Sequence, residues 1–357
     1  MRPSFAFLSA ENLKHNINTI KKLVGPTKII AMVKANAYGH GIRSTAQTLE
    51  GYADVFGVAS LDEALAIRKI GIKTPILLME GVFDYNELAI AAEEGIHVAL
   101  HNLVQLNWLE QFSKPLYVWL KVSTGMGRLG FSINLANKVY QRLLELNFVQ
   151  KPIKIFSHFS CADEKENPIN NQQINTFKNF IANKKGEYSF CNSAALFNFQ
   201  NCHYDYVRPG LALYGISPFP NKTAESLNLK PVMTVCSELI AVHQMEKGQS
   251  VGYGACYVCE TDMPVGIIAF GYGDGYPITT KKNTPILVNN VRCPILGSIS
   301  MDMMAVDLRP YPNAQIGSKV VLWGKDLEAT EIAACTNQIP WSLICGIQNR
   351  VRCIWEQ

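Results

Sequence analysis

The first two-thirds of the 357-residue chain alternate short apolar runs with helical patterns about eight times, and this alternation limits the architectures open to it. Strand-like runs lie at Lys28–Val33, Asp54–Ala59, Pro75–Met79, His97–Leu100, Leu116–Val122, Ile153–His158, Tyr188–Cys191 and Tyr204–Val207. The intervening segments carry helix signals. In SLDEALAIRKIG, Ser60 is placed as an N-cap, Glu63 as the far half of a capping box, and Gly71 as the stop. ELAIAAEEG reads as a helix ending at Gly95. Continuous apolar strands that alternate with helices form a parallel sheet buried on both faces. Eight such units in roughly 200 residues suit a closed (β/α)8 TIM-type barrel, with a doubly wound open sheet as the alternative.

The texture changes near Ser217–Leu229, a polar segment containing prolines. Beyond it MTVCSELIAVHQ, PVGIIAF, PILVNNVRCPILG, MMAVDL and KVVLWG are strand-like, and Thr330–Asn337 is the one further helical pattern. The expectation is an α/β barrel domain over 1–222, its first ten or so residues free to pack with the second domain, and a mainly β domain over 223–357.

Composition excludes several function classes. Hydrophobic residues make up 48% and charged residues 17%, which suits a packed globular protein. The net charge of +4 is scattered, so no nucleic-acid partner is expected. No apolar run approaches the ~18 residues of a membrane helix, and the first residues lack the apolar core of a signal peptide. A cytoplasmic protein with no membrane partner is expected. The ten cysteines all fall between Cys161 and Cys353 and read as reduced thiols. Cys256 and Cys259 form one C-x-x-C with no matching second half, so no metal is expected.

The segment Ala31–Gly41, AMVKANAYGHG, places a lysine where a strand ends and a loop with two glycines begins. On a barrel the strand C-termini face the active site. A lysine there, partly desolvated, is suited to Schiff-base chemistry. Alone, it is a solvated lysine after a strand. The segment closely resembles the coenzyme-attachment sequence of bacterial alanine racemases, and the resemblance covers essentially the whole chain. It implies a barrel followed by a β domain, pyridoxal 5'-phosphate joined to Lys34, and Tyr38 at the coenzyme phosphate.

The segment Lys121–Phe131, KVSTGMGRLGF, satisfies G-x-G-x-x-G at Gly125, Gly127 and Gly130, with a strand before and a helix after. A nicotinamide-dependent oxidoreductase is therefore the rival reading. Against it, the strand does not run directly into the glycines, and the unit comes fifth in the series rather than first. The racemase resemblance instead makes Arg128 a substrate-carboxylate ligand, where a permanently charged fork is apt. It also implies a carbamylated Lys121 that orients Arg128. Ser123 stands where relatives usually have Asp.

The same resemblance assigns the remaining site residues. His158 lines the coenzyme ring. Ser193 holds the phosphate with the N–H groups of Gly210 and Leu211. Arg208 faces the pyridine nitrogen, and because a guanidinium has no lone pair to accept with, that nitrogen stays unprotonated. Tyr253, in SVGYGAC, is the second base opposite Lys34, brought by the partner subunit of a homodimer with shared sites. Charged neighbours would have to lower its phenol for work near neutrality. Tyr272 lines the approach, and Met301 offers its backbone N–H to the carboxylate. Ile278 and Ser298 replace arginines of the approach corridor, which predicts a less basic channel, and Asn349 stands where some relatives carry tyrosine. The implied activity is interconversion of L- and D-alanine by two bases, supplying D-alanine for the cell wall. A coenzyme-carrier protein would lack the β domain and Tyr253. A barrel-type decarboxylase would lack the combined motifs. A racemase of broader specificity remains open.

Overall fold

The computed structural model describes residues 2–356. The chain divides into two compact units: one takes Lys14–Ala37 and Ile42–Leu213, the other everything up to Leu13, Tyr38–Gly41 and everything from Tyr214 onward. Strand β1 (Phe5–Ser9) belongs to the second of these. The first is built on β2 (Lys28–Met32), β3 (Val55–Val58), β4 (Ile76–Leu78), β5 (Ile96–Leu100), β6 (Val118–Lys121), β7 (Ile153–Phe156), β8 (Gly186–Ser189) and β9 (Tyr206–Val207). They pair in parallel in that order, and β9 returns to β2, closing the barrel. The closed form, not the open sheet, is what the alternating pattern produced.

The strands are short and mostly buried, β3 and β6 on every residue and β8 on its last alone. The covering helices show the complementary stripe. Helix Ile42–Leu49 buries Ile42, Thr45, Ala46 and Leu49, and helix Ile133–Glu145 buries Ala136, Val139, Tyr140 and Leu143. Each set recurs at three- and four-residue spacing, the single face a helix offers to a sheet. Each large apolar side chain withdrawn from water contributes about 1.5–3 kcal/mol.

The second unit is mainly β. Its strands are β1, β10 (Met233–Met245), β11 (Ser250–Val251), β12 (Tyr257–Val258), β13 (Met263–Ile268), β14 (Pro285–Val288), β15 (Val291–Leu296), β16 (Met304–Asp307), β17 (Lys319–Trp323) and β18 (Arg352–Glu356). The main sheet runs β13-β16-β15-β14-β17-β10-β1-β18, and a further β10–β13 pairing closes six of the strands into a ring. The long β10 permits this, with a register break between Leu239 and Ala241. PILVNNVRCPILG is two strands, because Asn289 and Asn290 both take positive φ (44° and 68°) and make a two-residue hairpin turn. Helix Pro340–Cys345 and strands β1, β11, β12 and β18 had no counterpart in the sequence reading. β18 is an exposed, polar-looking strand given its place by parallel pairing to β1, about 350 residues earlier in the chain.

Candidate active site

Lys34 follows β2, where Val33 N donates to Gly57 O of β3 at 2.9 Å. The four residues after it form a left-handed turn, with φ of 53°, 53°, 55° and 52° at Ala35, Asn36, Ala37 and Tyr38. Non-glycine residues pay roughly 1–2 kcal/mol each for that conformation, asparagine less. The turn is closed by Ala37 N donating to Val33 O at 2.8 Å and by Ile42 N donating to Asn36 Oδ1 at 2.9 Å. Lys34 is half-buried, and its Nζ makes no hydrogen bond among the described residues.

The expected capping box at Ser60 and Glu63 is corrected here. Ser60 makes no side-chain cap. Glu63 Oε2 accepts from Ala59 N at 2.8 Å, and Oε1 from Ala35 N at 2.6 Å and Asn36 N at 3.4 Å. The carboxylate reaches the lysine-bearing loop because β2 and β3 are neighbours, which no local spacing encodes.

Around Lys34 gathers a group of cations. Lys121 ends β6, buried, with Nζ 5.3 Å from the Phe156 ring centroid and one long hydrogen bond to Met79 O at 3.4 Å. Burial first, then Arg208, Arg128 and Lys34, push its ammonium down to about 7, with only Glu80 opposing. His158, just after β7, is held neutral by burial and then by Arg208, Arg128, Lys121 and Lys34. Arg208, buried just after β9, donates to Ser189 Oγ at 2.6 Å, Phe190 O at 3.2 Å, His158 Nδ1 at 3.3 Å, and Ser157 O. Burial, above all, lowers it to about 10, so it remains a cation at neutral pH. Its Nε has no partner among the described residues. The donation to Nδ1 leaves the His158 proton on Nε2.

The glycines of the Lys121–Phe131 segment serve a loop reversal. Ser123 N donates to Phe131 O and Phe131 N to Lys121 O, at 2.9 and 3.0 Å. Gly130 has φ 119°, and a Cβ there would lie 2.8 Å from Ser123 N. The helix begins only at Ile133, so the glycines do not form the strand-to-helix turn that holds a dinucleotide pyrophosphate. The loop presents Arg128 to solvent without a hydrogen-bond partner among the described residues.

Asn192 caps the helix Ser193–Asn198 through Ala195 N at 3.0 Å. Ser193 Oγ accepts from Gly210 N at 2.9 Å and Ala212 N at 3.3 Å, whereas Leu211 N is unengaged among the described residues. Ser193, Gly210 and Leu211 are therefore brought together, with Gly210 N already satisfied by the serine. Tyr38, in the second unit, is buried and stacked on Tyr214 at 5.0 Å. Its hydroxyl is raised above the ordinary phenol range by burial and the Cys345 sulfur.

In the β unit, Tyr253 opens a tight turn flanked by Gly252 (φ 74°) and Gly254 (φ 68°), and its side chain is 75% exposed. Cys256 Sγ donates to Tyr253 O at 3.3 Å and Ser298 Oγ to Cys256 Sγ at 3.5 Å. Tyr272 and Met301 are joined by backbone: Tyr272 N donates to Ser300 O at 3.0 Å and Gly273 N to Met301 O at 2.8 Å. A Cβ on Gly271 would sit 2.2 Å from Ser300 O, so only glycine allows this approach. Met301 N has no partner among the described residues. Ile278 and Asn349 are exposed and Ser298 is partly so.

Sequence reasoning missed the clamp under this pair. Asp274 is fully buried and accepts from Gly271 N at 2.9 Å, Arg350 Nε at 2.7 Å and Arg2 Nη2 at 2.8 Å. Arg350 also bonds Asp302 Oδ1 at 2.6 Å, and Arg2 bonds Asp302 O. Asp274 stands between two glycines, two residues after Tyr272, but its partners lie 76 and 272 residues away.

The family model for the alanine racemase N-terminal domain matches residues 8–218, and that for the alanine racemase C-terminal domain matches 232–355. The chain belongs to the alanine racemase family. It is 42% identical over 353 residues to an alanine racemase of Legionella pneumophila, covering 98% of this chain and 99% of the relative. It is 44% identical over 353 residues to one of Pasteurella multocida, covering 98% of each. Among solved structures, the biosynthetic alanine racemase of Pseudomonas aeruginosa superposes with a TM-score of 0.97 at 36% identity over 100% of both chains. An alanine racemase of Bartonella henselae, described as having covalently bound pyridoxal phosphate, gives 0.90 at 27% identity, again over 100% of both. The racemase motifs of the sequence thus mark the family, and the dinucleotide motif does not mark its chemistry. Among the described residues no helix is long and apolar enough to cross a membrane.

Proposed function

We propose that this member of the alanine racemase family interconverts L-alanine and D-alanine with pyridoxal phosphate, supplying D-alanine for peptidoglycan. The observation that carries the reading is the cluster at the C-terminal ends of the barrel strands. Lys34, Lys121, Arg128 and Arg208 surround a neutral His158, and Glu80 is the only carboxylate acting on Lys121. Such an excess of cations calls for anionic ligands, and a phosphorylated coenzyme and a substrate carboxylate both answer that description.

The residues fit the coenzyme. The unengaged amine of Lys34 would hold it covalently. Ser193 Oγ, the Leu211 N–H that is unengaged among the described residues, the Gly210 N–H on release from Ser193, and the Tyr38 hydroxyl would hold its phosphate. Arg208 would face its ring nitrogen through donors alone, and neutral His158 would line the ring. When bound, the coenzyme stabilises negative charge at the substrate α-carbon. A donor-only partner at the ring nitrogen keeps that nitrogen unprotonated, which weakens the electron sink and disfavours transamination.

Lys34 takes or returns the α-proton on the D side and Tyr253 on the L side. Two faces are needed because a single base tends to return the proton whence it came. Arg128 and Met301 N–H hold the carboxylate, and Tyr272 walls the approach. Lys121, near-neutral at physiological pH, is poised to take up carbon dioxide and become an anion beside Arg128. A homodimer in which the partner subunit supplies the exposed phenol of residue 253 accounts for an exposure that a phenolic base in a finished site would not keep. A cytoplasmic location is part of this proposal.

The test is chiral analysis of either alanine enantiomer incubated with purified protein. The same equal mixture from both, lost in Lys34→Ala, is expected. Colourless protein that leaves both enantiomers untouched in the presence of the coenzyme would end the reading. A panel of other amino acids fixes the breadth of specificity.

A further inference from the structure

We infer that Glu63 is a positioning residue for Lys34: its carboxylate holds the left-handed turn that follows the lysine and so sets the direction from which the amine reaches the site. The inference rests on the role of Lys34 proposed above.

Both peptide flanks of Lys34 are tied to the same neighbouring connection. Before the lysine, Val33 N donates to Gly57 O on β3. After it, Ala35 N and Asn36 N both donate to Glu63 Oε1, at 2.6 and 3.4 Å. The other carboxylate oxygen takes Ala59 N at 2.8 Å, one residue past β3. Glu63 thus bridges the end of one barrel strand to the loop leaving the next. A residue serving only its own helix would cap that helix, yet two of its three donors come from 27 and 28 residues earlier. The first turn of helix Leu61–Arg68 also suits a carboxylate, since the helix N-terminus carries partial positive charge.

The turn needs such a hold. Ala35 and Ala37 have no local means of favouring φ near 53–55°. Each strains towards the right-handed basin, and relaxation there rotates the Cα–Cβ bond of the preceding lysine away from its present line. Charge-assisted bonds from two adjacent N–H groups to one carboxylate oppose that relaxation.

Glu63→Ala, Glu63→Gln and, as control, Lys34→Ala are compared as holoenzymes. The readouts are kcat, KM, the rate at which hydroxylamine strips the coenzyme, and the unfolding midpoint. Misplacement of a reacting group by a fraction of an ångström lowers turnover steeply, so Glu63→Ala is expected to lose roughly tenfold or more in kcat per bound coenzyme. KM stays within about threefold, because uniform substrate binding is untouched. Stripping accelerates in parallel. Glu63→Gln is expected to fall between parent and Glu63→Ala, because its amide can accept on one side but turns an NH2 towards a backbone N–H on the other. Should Glu63→Ala not fold, Glu63→Gln carries the same decision. Parent-like kcat and stripping rate, even with a lower midpoint, would overturn the inference and leave Glu63 a structural residue. Lys34→Ala that stays yellow and racemises would instead remove the role of Lys34 itself.

Discussion

Replacing Lys121 by methionine keeps a long flexible side chain at a buried position and removes a charge the fold does not accommodate. The ammonium falls from its ordinary 10.5 to about 7 in the folded chain, chiefly through burial and then through Arg208, Arg128 and Lys34. Between those two values the unfolded chain binds more protons than the folded one, so stability rises with pH across that window. The penalty is complete below pH 7 and gone above about 10.5. At 1.36 kcal/mol for each tenfold change, it is worth roughly 5 kcal/mol at pH 6 and roughly 3 kcal/mol at pH 8. Lys121→Met is therefore expected to be more stable than the parent at pH 6, with the advantage fading towards pH 10. Urea-unfolding midpoints of the two proteins across that range measure it. Bicarbonate at pH 8 extends the test: carbon dioxide adds to the neutral amine, a proton leaves, and a neutral group among cations becomes an anion. The parent alone should then gain stability and show the mass of the adduct. An advantage that does not change with pH would refute the electrostatic reasoning, and a parent indifferent to bicarbonate would remove the carbamate.

Tyr253→Phe should lower turnover about 10²–10⁴-fold, the usual worth of a general acid–base group, while coenzyme absorbance is retained; racemisation at the parent rate would exclude the phenol as a base. Asp274→Asn should destabilise the chain by roughly 1–3 kcal/mol, since it turns a buried NH2 towards donors and leaves part of the clamp unsatisfied, while Arg2 and Arg350 are open enough to fall back on water. It should also raise KM for alanine by loosening the Tyr272–Met301 pair, and steady-state kinetics with thermal unfolding separate the two effects. Ala35→Gly should raise the unfolding midpoint, because glycine adopts φ 53° without a clash at an exposed position, with a gain of about 1 kcal/mol; a lower midpoint would show that the turn is not strained there.

How much of this molecule was written locally can be judged residue by residue. The barrel strands were legible because strands buried on both faces must be apolar throughout, and the covering helices because one stripe must be. Lys34 and Arg208 were legible as candidates because strand ends on such a barrel face the site, and Arg128 and Ser193 because their surrounding motifs resemble a family. The β unit was less so. β18 has little apolar pattern and exists only because β1 offers it an edge.

Chain sequence alone settled the alternating strands and helices of the barrel, where the positively charged groups stand along it, and the resemblance to the family. Tertiary structure alone decided what each polar group is for. Glu63 looked like half of a helix cap and became the support of the lysine loop. Asp274 had no assigned role and became the centre of a clamp between residues near both chain ends. Three glycines that spelled a dinucleotide site made a loop reversal. The physical reason is common to all three: hydrophobic patterning is read over a few neighbours, whereas the partner of a buried charge or a strained N–H is chosen by the closure of the fold.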